Sequence, residues 1–236
     1  MERTRTGIPG LDDLLGGGIP RGSNVLVAGG AGTGKTILAT QYLYQGALQF
    51  GEPGVFVTLE GSVRDIAWNM ENFQWDIKSL QDRGMFNIYR LGMEFISDRV
   101  MVEERLDEQL KEIEKEVEEI NAKRLVVDST TVFGAYLEPS LLRTTLFKFC
   151  DRLKSFGCTT LLTSETQTAK GIFSAFGVEE FVVDGIIALY FSPPNRSIFI
   201  RKMRGTHHDA NPHPIAITQQ GIIINPRDSI IWDAIK

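Results

Sequence analysis

The sequence contains the run Gly29-Gly30-Ala31-Gly32-Thr33-Gly34-Lys35-Thr36, which matches the phosphate-binding P-loop pattern G-x-x-x-x-G-K-[ST] at every fixed position. Residues 24–28 before it are mostly apolar and predict a short buried strand. Residues 37–50 after it contain no Pro and predict a helix. Because the motif requires a strand, a loop and a helix in this order, the sequence predicts a phosphate-binding loop here.

The residue types of this loop suit a nucleoside triphosphate. Glycines let successive backbone N–H groups turn inward around the negative charge, and the helix N-terminus adds its partial positive charge. Lys35 would reach the β- and γ-phosphates, and the Thr36 hydroxyl would take one coordination place on Mg²⁺. The predicted nucleotide-binding residues are Gly29, Gly30, Ala31, Gly32, Thr33, Gly34, Lys35, Thr36 and Ile37.

Length and charge narrow the class of protein. The chain has 236 residues, a net charge of −5 and two cysteines, and we expect one domain spanning 1–236. The acidic balance argues against a protein that coats nucleic acid by bulk positive charge. No apolar segment follows the first five residues, and no run approaches the length needed to span a bilayer. We therefore expect a cytoplasmic protein with free thiols and no membrane association.

Two further predicted strands lead into acidic side chains. The strand predicted at 55–59 is followed by Glu60, and the strand predicted at 124–129 carries Asp128 near its end. Asp128 has the form of a Walker B acid, which lies beside the water shell of the metal. Helices predicted at 63–73, 98–122 and 139–156, with strands at 85–89 and 159–164, complete an alternation that predicts a parallel sheet.

The final third changes character. Apolar runs at 181–191, 197–203, 214–218 and 221–225 predict strands joined by turns, with no helix between them. A separate unit of four strands would have no helix to cover a face, so these strands are expected to extend the parallel sheet. The predicted fold class is α/β, with a mainly parallel central sheet flanked by helices and extended by C-terminal antiparallel strands.

With these residues in place, the chain resembles a single-domain member of the KaiC family, in the RecA-like branch of P-loop NTPases, over nearly its whole length. Three features besides the P-loop carry the resemblance. They are Gly7-Ile8-Pro9-Gly10-Leu11-Asp12 with Gly16-Gly17-Gly18-Ile19-Pro20-Arg21-Gly22, Gly177-Val178-Glu179-Glu180-Phe181 with Asp184-Gly185, and Lys202-Met203-Arg204-Gly205-Thr206 with His208.

The resemblance implies an ATPase that binds ATP and Mg²⁺ and assembles as a ring, usually a hexamer, with each nucleotide between neighbouring subunits. Glu60 would then position and activate the attacking water; it is followed by Gly61, where the family's clock protein has a second glutamate. Lys202 and Arg204 would reach the γ-phosphate held by the adjacent subunit, since two positions apart on a strand share a face. His208 would contact the edge of the nucleotide.

Two functions remain open at the level of sequence. One is a Mg²⁺-dependent ATPase ring coupled to an unidentified protein partner, and the other is a recombinase-like protein that binds single-stranded DNA in the presence of ATP. The loops at 129–138 and 165–177 discriminate between them. The second loop offers Lys170, Phe173 and Phe176 for base stacking. A single lysine neutralises little of the charge on a phosphate backbone, so the ATPase ring is preferred over the DNA-binding protein.

Overall fold

The computed structural model describes residues 1–92, 99–166 and 174–230. The strands are β1 (Arg3–Thr4), β2 (Ile19–Pro20), β3 (Asn24–Gly29), β4 (Gly54–Thr58), β5 (Phe86–Arg90), β6 (Arg124–Asp128), β7 (Thr159–Glu165), β8 (Gly185–Ser192), β9 (Asn195–Met203), β10 (His213–Thr218) and β11 (Gly221–Ile224). The helices are α1 (Leu11–Leu14), α2 (Lys35–Phe50), α3 (Val63–Glu71), α4 (Ile77–Asp82), α5 (Arg99–Glu119), α6 (Phe133–Tyr136), α7 (Pro139–Ser155) and α8 (Glu179–Val182), with a 3₁₀ turn at Thr130–Val132.

Within these residues, nine strands form one sheet in the order β11-β10-β9-β8-β3-β7-β6-β4-β5. The six strands from β8 to β5 run parallel. Strands β9, β10 and β11 continue the sheet in antiparallel pairing. The predicted α/β fold, a mainly parallel sheet extended by C-terminal antiparallel strands, is confirmed.

Helices cover both faces of the sheet. One hydrophobic cluster joins α2, α3 and α4 to one face, and a second joins α5 and α7 to the other. The helix predicted at 98–122 corresponds to α5, and its apolar residues Leu106, Leu110 and Ile113, spaced three and four apart, are buried against the sheet. None of the helices described is both long enough and apolar enough to cross a membrane.

One predicted strand was wrong at its start. Residues 181–182 belong to α8, and β8 begins only at Gly185. A short apolar run does not distinguish a buried strand from a helical turn. Glu179 favours the turn because its buried carboxylate accepts a hydrogen bond from Ser164 Oγ at 3.2 Å and holds the segment against β7. A helix is therefore present at the start of the region for which none was predicted.

A buried arginine stabilises the amino ends of the parallel strands. Arg124, the first residue of β6, has no exposed surface. Its guanidinium contacts Glu52 Oε2 at 2.6 Å and donates to the carbonyl oxygens of Tyr42 at 2.8 Å and Arg5 at 2.7 Å. A Cβ at Gly46 would lie 2.4 Å from Arg124 Nε, so α2 needs a glycine where it passes this side chain. The cation thereby links the N-terminal segment, α2 and β6.

We expect Arg124→Met to lower the free energy of unfolding by about 3 kcal/mol or more, because the buried carbonyl of Tyr42, the partly buried carbonyl of Arg5 and a partly buried carboxylate lose their partner. Urea denaturation of the purified chain measures the change. Arg21 contacts the same carboxylate, Glu52, at 3.1 Å, but its side chain is 43% exposed. Arg21→Met is the matched control and should cost less than about 1 kcal/mol; equal losses in the two variants would contradict the role of burial.

Candidate nucleotide site

The P-loop connects β3 to α2, as predicted, and its backbone conformation depends on glycine at two positions. Gly34 precedes the first residue of α2 and has a φ of 103°, which L side chains rarely adopt. Gly29 ends β3 beside β8, where a Cβ would lie 2.7 Å from the carbonyl oxygen of Leu189. The loop therefore keeps its shape only with these glycines, and the N-terminus of α2 follows directly.

Lys35 lies at the mouth of the loop. Its Nζ donates to the carbonyl oxygens of Gly29 at 2.8 Å and Gly30 at 3.0 Å. Burial lowers the pKa of the Lys35 ammonium, and the nearby carboxylates of Glu165, Asp128 and Glu60 oppose that shift. Lys35 is thus the cation of a site that gathers carboxylates from three different strand ends.

The hydroxyl and the carboxylate predicted to serve the metal lie together. Thr36 Oγ1 donates to Asp128 Oδ2 at 2.8 Å, although 92 positions separate the two residues. The other oxygen, Asp128 Oδ1, accepts from Thr163 Oγ1 on the neighbouring strand β7. Hydroxyl and carboxylate oxygens are the ligands that Mg²⁺ prefers, and it commonly uses one or two of them together with waters and phosphate oxygens. The donor set therefore fits Mg²⁺.

Glu60 follows β4 at the same edge of the sheet. The turn that carries it is closed by Thr58, whose Oγ1 donates to the carbonyl oxygen of Gly61 at 3.1 Å and accepts from its N–H at 2.9 Å. Ser129 Oγ donates to Glu60 Oε1 at 3.4 Å. Burial raises the pKa of the Glu60 carboxyl, with a further rise from Asp128. A raised pKa makes the carboxylate a better acceptor for a proton of water.

A third carboxylate, not predicted from the sequence, lies at the same edge of the sheet. Glu165 is the last residue of β7 and is exposed. Its negative charge raises the pKa of Lys35, against the effect of burial. Its backbone N–H donates to Thr131 Oγ1 at 2.9 Å, which fixes the end of the strand. An acidic residue directly after a predicted parallel strand was the available signal, since the same rule identified Glu60 and Asp128.

A cation of the C-terminal hairpin also lies against the P-loop. Arg196 Nε donates to the carbonyl oxygen of Gly32 at 3.1 Å, and its guanidinium stacks 4.1 Å from the ring centroid of Phe191. Beside this hairpin is a cavity of about 350 Å³ lined by Ser192, Pro194, Asn195, Arg196, Ser197, Pro214, Ile215 and Ile230. The sequence held no signal for this contact, because it depends on the pairing of β8 with β3.

Lys202 and Arg204 lie far from the P-loop of their own chain. Lys202 on β9 pairs with Ile186 on β8, and Ile186 pairs with Leu26 on β3. From Leu26 the P-loop residue Gly29 is three residues further toward the carboxyl end of β3, a distance of about 10 Å at 3.3 Å per residue. Lys202 Nζ donates to the carbonyl oxygen of Val183 at 2.7 Å, which lies before β8 and thus toward the amino end of the strands. Burial lowers the pKa of Lys202, and Arg204 lowers it further.

The predicted reason for the proximity of the two cations was wrong. Strand β9 ends at Met203, so Arg204 lies in the following turn rather than on a shared strand face. Arg204 Nη1 lies 3.6 Å from Asp184 Oδ1, and Lys154 Nζ lies 2.8 Å from Asp184 Oδ2. Lys202 is held by the carbonyl oxygens of Glu180 and Val183, and Arg204 is held by Asp184; these contacts, instead of strand periodicity, place both cations at one corner of the molecule.

The segment that follows contains His208. The N–H of Asp209 donates to the carbonyl oxygen of Leu14 at 2.9 Å, so the segment lies against α1. His208 Nδ1 is buried and has no hydrogen-bond partner among the described residues. Its predicted contact with the edge of a nucleotide stays a prediction.

Of the three residues proposed for base stacking, Lys170, Phe173 and Phe176, only Phe176 lies in the described part of the chain. Phe176 packs against the cluster that α5 and α7 form on the sheet, and its ring lies 2.0 Å from where a Cβ on Gly134 would be. Its ring is therefore engaged in its own chain instead of facing a nucleic acid. Lys170 and Phe173, the other two members of the set, lie outside the described residues.

Comparisons with known proteins agree over almost the whole chain. The family model for the KaiC ATPase matches residues 4–229. A UPF0273 protein of Methanocaldococcus jannaschii is 38% identical over 96% of this chain and 97% of its own length. The circadian clock oscillator protein KaiC of Synechococcus elongatus is 38% identical over 96% of this chain, which spans only 44% of that longer protein.

Solved structures show the same relationship. The crystal structure of a KaiC-like protein from Pyrococcus horikoshii superposes with a TM-score of 0.84 at 39% identity, covering 95% of this chain and 99% of that one. The likeness in fold, the match of the family model and the P-loop with its facing acids agree with one another. The chain belongs to the KaiC family of ATP-binding ATPase domains.

Proposed function

We propose that this protein is a Mg²⁺-dependent ATPase whose subunits assemble head to tail into a ring, usually of six, and whose nucleotide state is passed to a protein partner in the cytoplasm. The observation that carries the proposal is the meeting of Thr36 with Asp128 at 2.8 Å, at the edge of the sheet that also bears Lys35 and Glu60. The ring, its size and the partner come from the resemblance to the KaiC family.

Phosphoryl transfer requires mainly positioning and stabilisation of charge, and the residues at this edge divide those tasks. Lys35 offsets the charge on the β- and γ-phosphates, while Thr36 and Asp128 would hold Mg²⁺. When bound, Mg²⁺ would neutralise charge that develops on the phosphate oxygens. Glu60 orients a water and accepts its proton as the water oxygen bonds to the γ-phosphorus. The bond from that phosphorus to the bridging oxygen breaks, which releases ADP and phosphate.

The position of Lys202 and Arg204 supports a site shared between subunits. Both cations lie toward the amino ends of the parallel strands, whereas the P-loop lies at the carboxyl ends. They therefore act on a nucleotide only if another subunit brings its P-loop to them. A head-to-tail ring does this at every interface, because each subunit contributes a P-loop on one side and cations on the other.

We expect Lys35→Ala to weaken ATP binding on the order of 100-fold or more, because two charge-assisted contacts to phosphate are lost while the fold is kept. Isothermal titration with ATP measures the affinity. Lys78→Ala is the matched control, since Lys78 is an exposed lysine on α4. Equal affinities for the wild type and Lys35→Ala would contradict the assignment.

We expect Glu60→Gln to leave ATP affinity close to that of the wild type and to slow hydrolysis about 100-fold or more, the usual scale for loss of a general base. The same titration, combined with a phosphate-release assay, separates the two quantities. Glu71→Gln on the exposed face of α3 serves as control. Unchanged turnover would mean that Glu60 is a surface acid with no part in the reaction.

Mixed assemblies test whether the site is shared. A Lys202→Ala/Arg204→Ala chain should bind ATP through its own P-loop and yet fail to hydrolyse it. Lys35→Ala chains bind ATP much more weakly but keep Lys202 and Arg204. Mixing the two variants should therefore restore part of the activity at interfaces that pair an intact P-loop with intact cations. No recovery, despite light-scattering evidence of mixed assemblies, would show that Lys202 and Arg204 do not act across subunits.

A further inference from the structure

Two exposed aromatic side chains lie together on α7 and α8. Phe147 is 60% exposed and Phe181 is 68% exposed. Arg143 is one helical turn before Phe147 on α7, and its guanidinium lies 5.9 Å from the ring centroid of Phe181. Because α7 packs against α8, these three side chains form one surface, here named the aromatic patch.

The aromatic patch does not belong to the core of its own chain. The buried face of α7 is formed by Leu142, Thr145, Leu146, Phe149, Cys150 and Leu153. Phe147 projects from the opposite, exposed face, where a polar residue would satisfy the fold equally well. Clustered exposed aromatic residues mark contact surfaces, and aromatic residues with Arg are the types enriched where protein interfaces concentrate their binding energy.

The aromatic patch is continuous with the corner that carries the cations. Lys202 Nζ donates to the carbonyl oxygen of Glu180 at 3.0 Å, and Glu180 is the residue before Phe181. The last residue of α8 is Val182, and Asp184, the neighbour of Arg204, follows two positions later. A surface that meets Lys202 and Arg204 from outside therefore also meets Phe181.

The charges of this corner and of the nucleotide edge are complementary. Among the described residues, the corner presents four cations, Arg143, Lys154, Lys202 and Arg204, around two acids, Asp184 and Glu180. The nucleotide edge presents Glu60, Asp128 and Glu165 around Lys35. Surfaces of opposite sign attract and orient each other on approach, whereas two copies of either surface repel. The corner thus fits the nucleotide edge of a second copy better than it fits another corner.

We propose that the aromatic patch is the apolar part of the contact that seats a second copy of this chain, with its nucleotide edge turned toward Lys202 and Arg204. The inference rests on the proposed ring and names the surface that assembles it. Phe147 and Phe181 supply apolar area that is removed from water on assembly, and the cations beside them set the direction of docking. A contact between two different faces of the same chain is heterologous, which is the type that closes into a ring.

The test compares Phe147→Ser/Phe181→Ser with the wild type and with Leu48→Ser in the full chain. Leu48 is 57% exposed on α2, outside the patch, and is the matched control for loss of an exposed apolar side chain. Light scattering over a concentration series with ATP measures the subunit dissociation constant. We expect the double variant to raise that constant on the order of 100-fold or more, as for the loss of two central contact residues, and Leu48→Ser to leave it unchanged.

Two further measurements separate a contact role from a folding defect. At subunit concentrations at which both proteins are monomeric, ATP affinity and the circular dichroism spectrum of the double variant should match those of the wild type, because the P-loop and both cores are untouched. Phe147→Leu/Phe181→Leu keeps the apolar area and should retain most of the assembly. If the wild type assembles with ATP and the folded serine variant assembles equally well, the patch proposal is wrong while the ring stands. If the wild type stays monomeric with ATP, the ring and the patch proposal are both overturned.

Discussion

Asp128 accepts hydrogen bonds from Thr36 and Thr163, and the geometry of the candidate site depends on these two contacts. The first donor belongs to the P-loop helix and the second to the strand that lies between β3 and β6. Parallel strands present their carboxyl ends at one edge, so a residue that ends β6 lies beside the loop that follows β3. The sheet order, through this one carboxylate, brings the P-loop helix and the acid of β6 together although they lie far apart in sequence.

The opposite edge of the sheet serves stability. Arg124 is buried where β6 begins, and its contacts with Glu52 and two backbone carbonyls join the N-terminal segment, α2 and β6. A buried cation is tolerated only when its donors are paired, and here Glu52 and the carbonyls provide acceptors. Carboxylates therefore surround Lys35 at the carboxyl ends of the parallel strands, while Arg124 stabilises their amino ends.

Cations lie toward both ends of the parallel strands. Lys35 and Arg196 contact the P-loop from within the chain, whereas Lys202 and Arg204 lie toward the other edge beside Asp184. Burial and mutual repulsion lower the pKa of Lys202, which is the expected cost of holding two cations together before an anion arrives. In the proposed ring, complementary charge at the two ends of the strands, together with exposed Phe147 and Phe181, would supply the two unlike faces that a head-to-tail contact needs.

The P-loop, the acids Glu60 and Asp128 and the order of most helices and strands were predictable from sequence, because each depends on a local pattern. A glycine-rich turn, an apolar run or a helical period is set by residues close together in the chain. Only the tertiary structure placed Glu165 near Lys35, Arg196 against Gly32 and Lys202 away from its own P-loop. The helical turn at α8 also depends on a contact between distant residues, because Glu179 accepts a hydrogen bond from Ser164, 15 positions earlier. These features are contacts across the sheet, and strand order and register, which no local pattern specifies, determine which side chains meet.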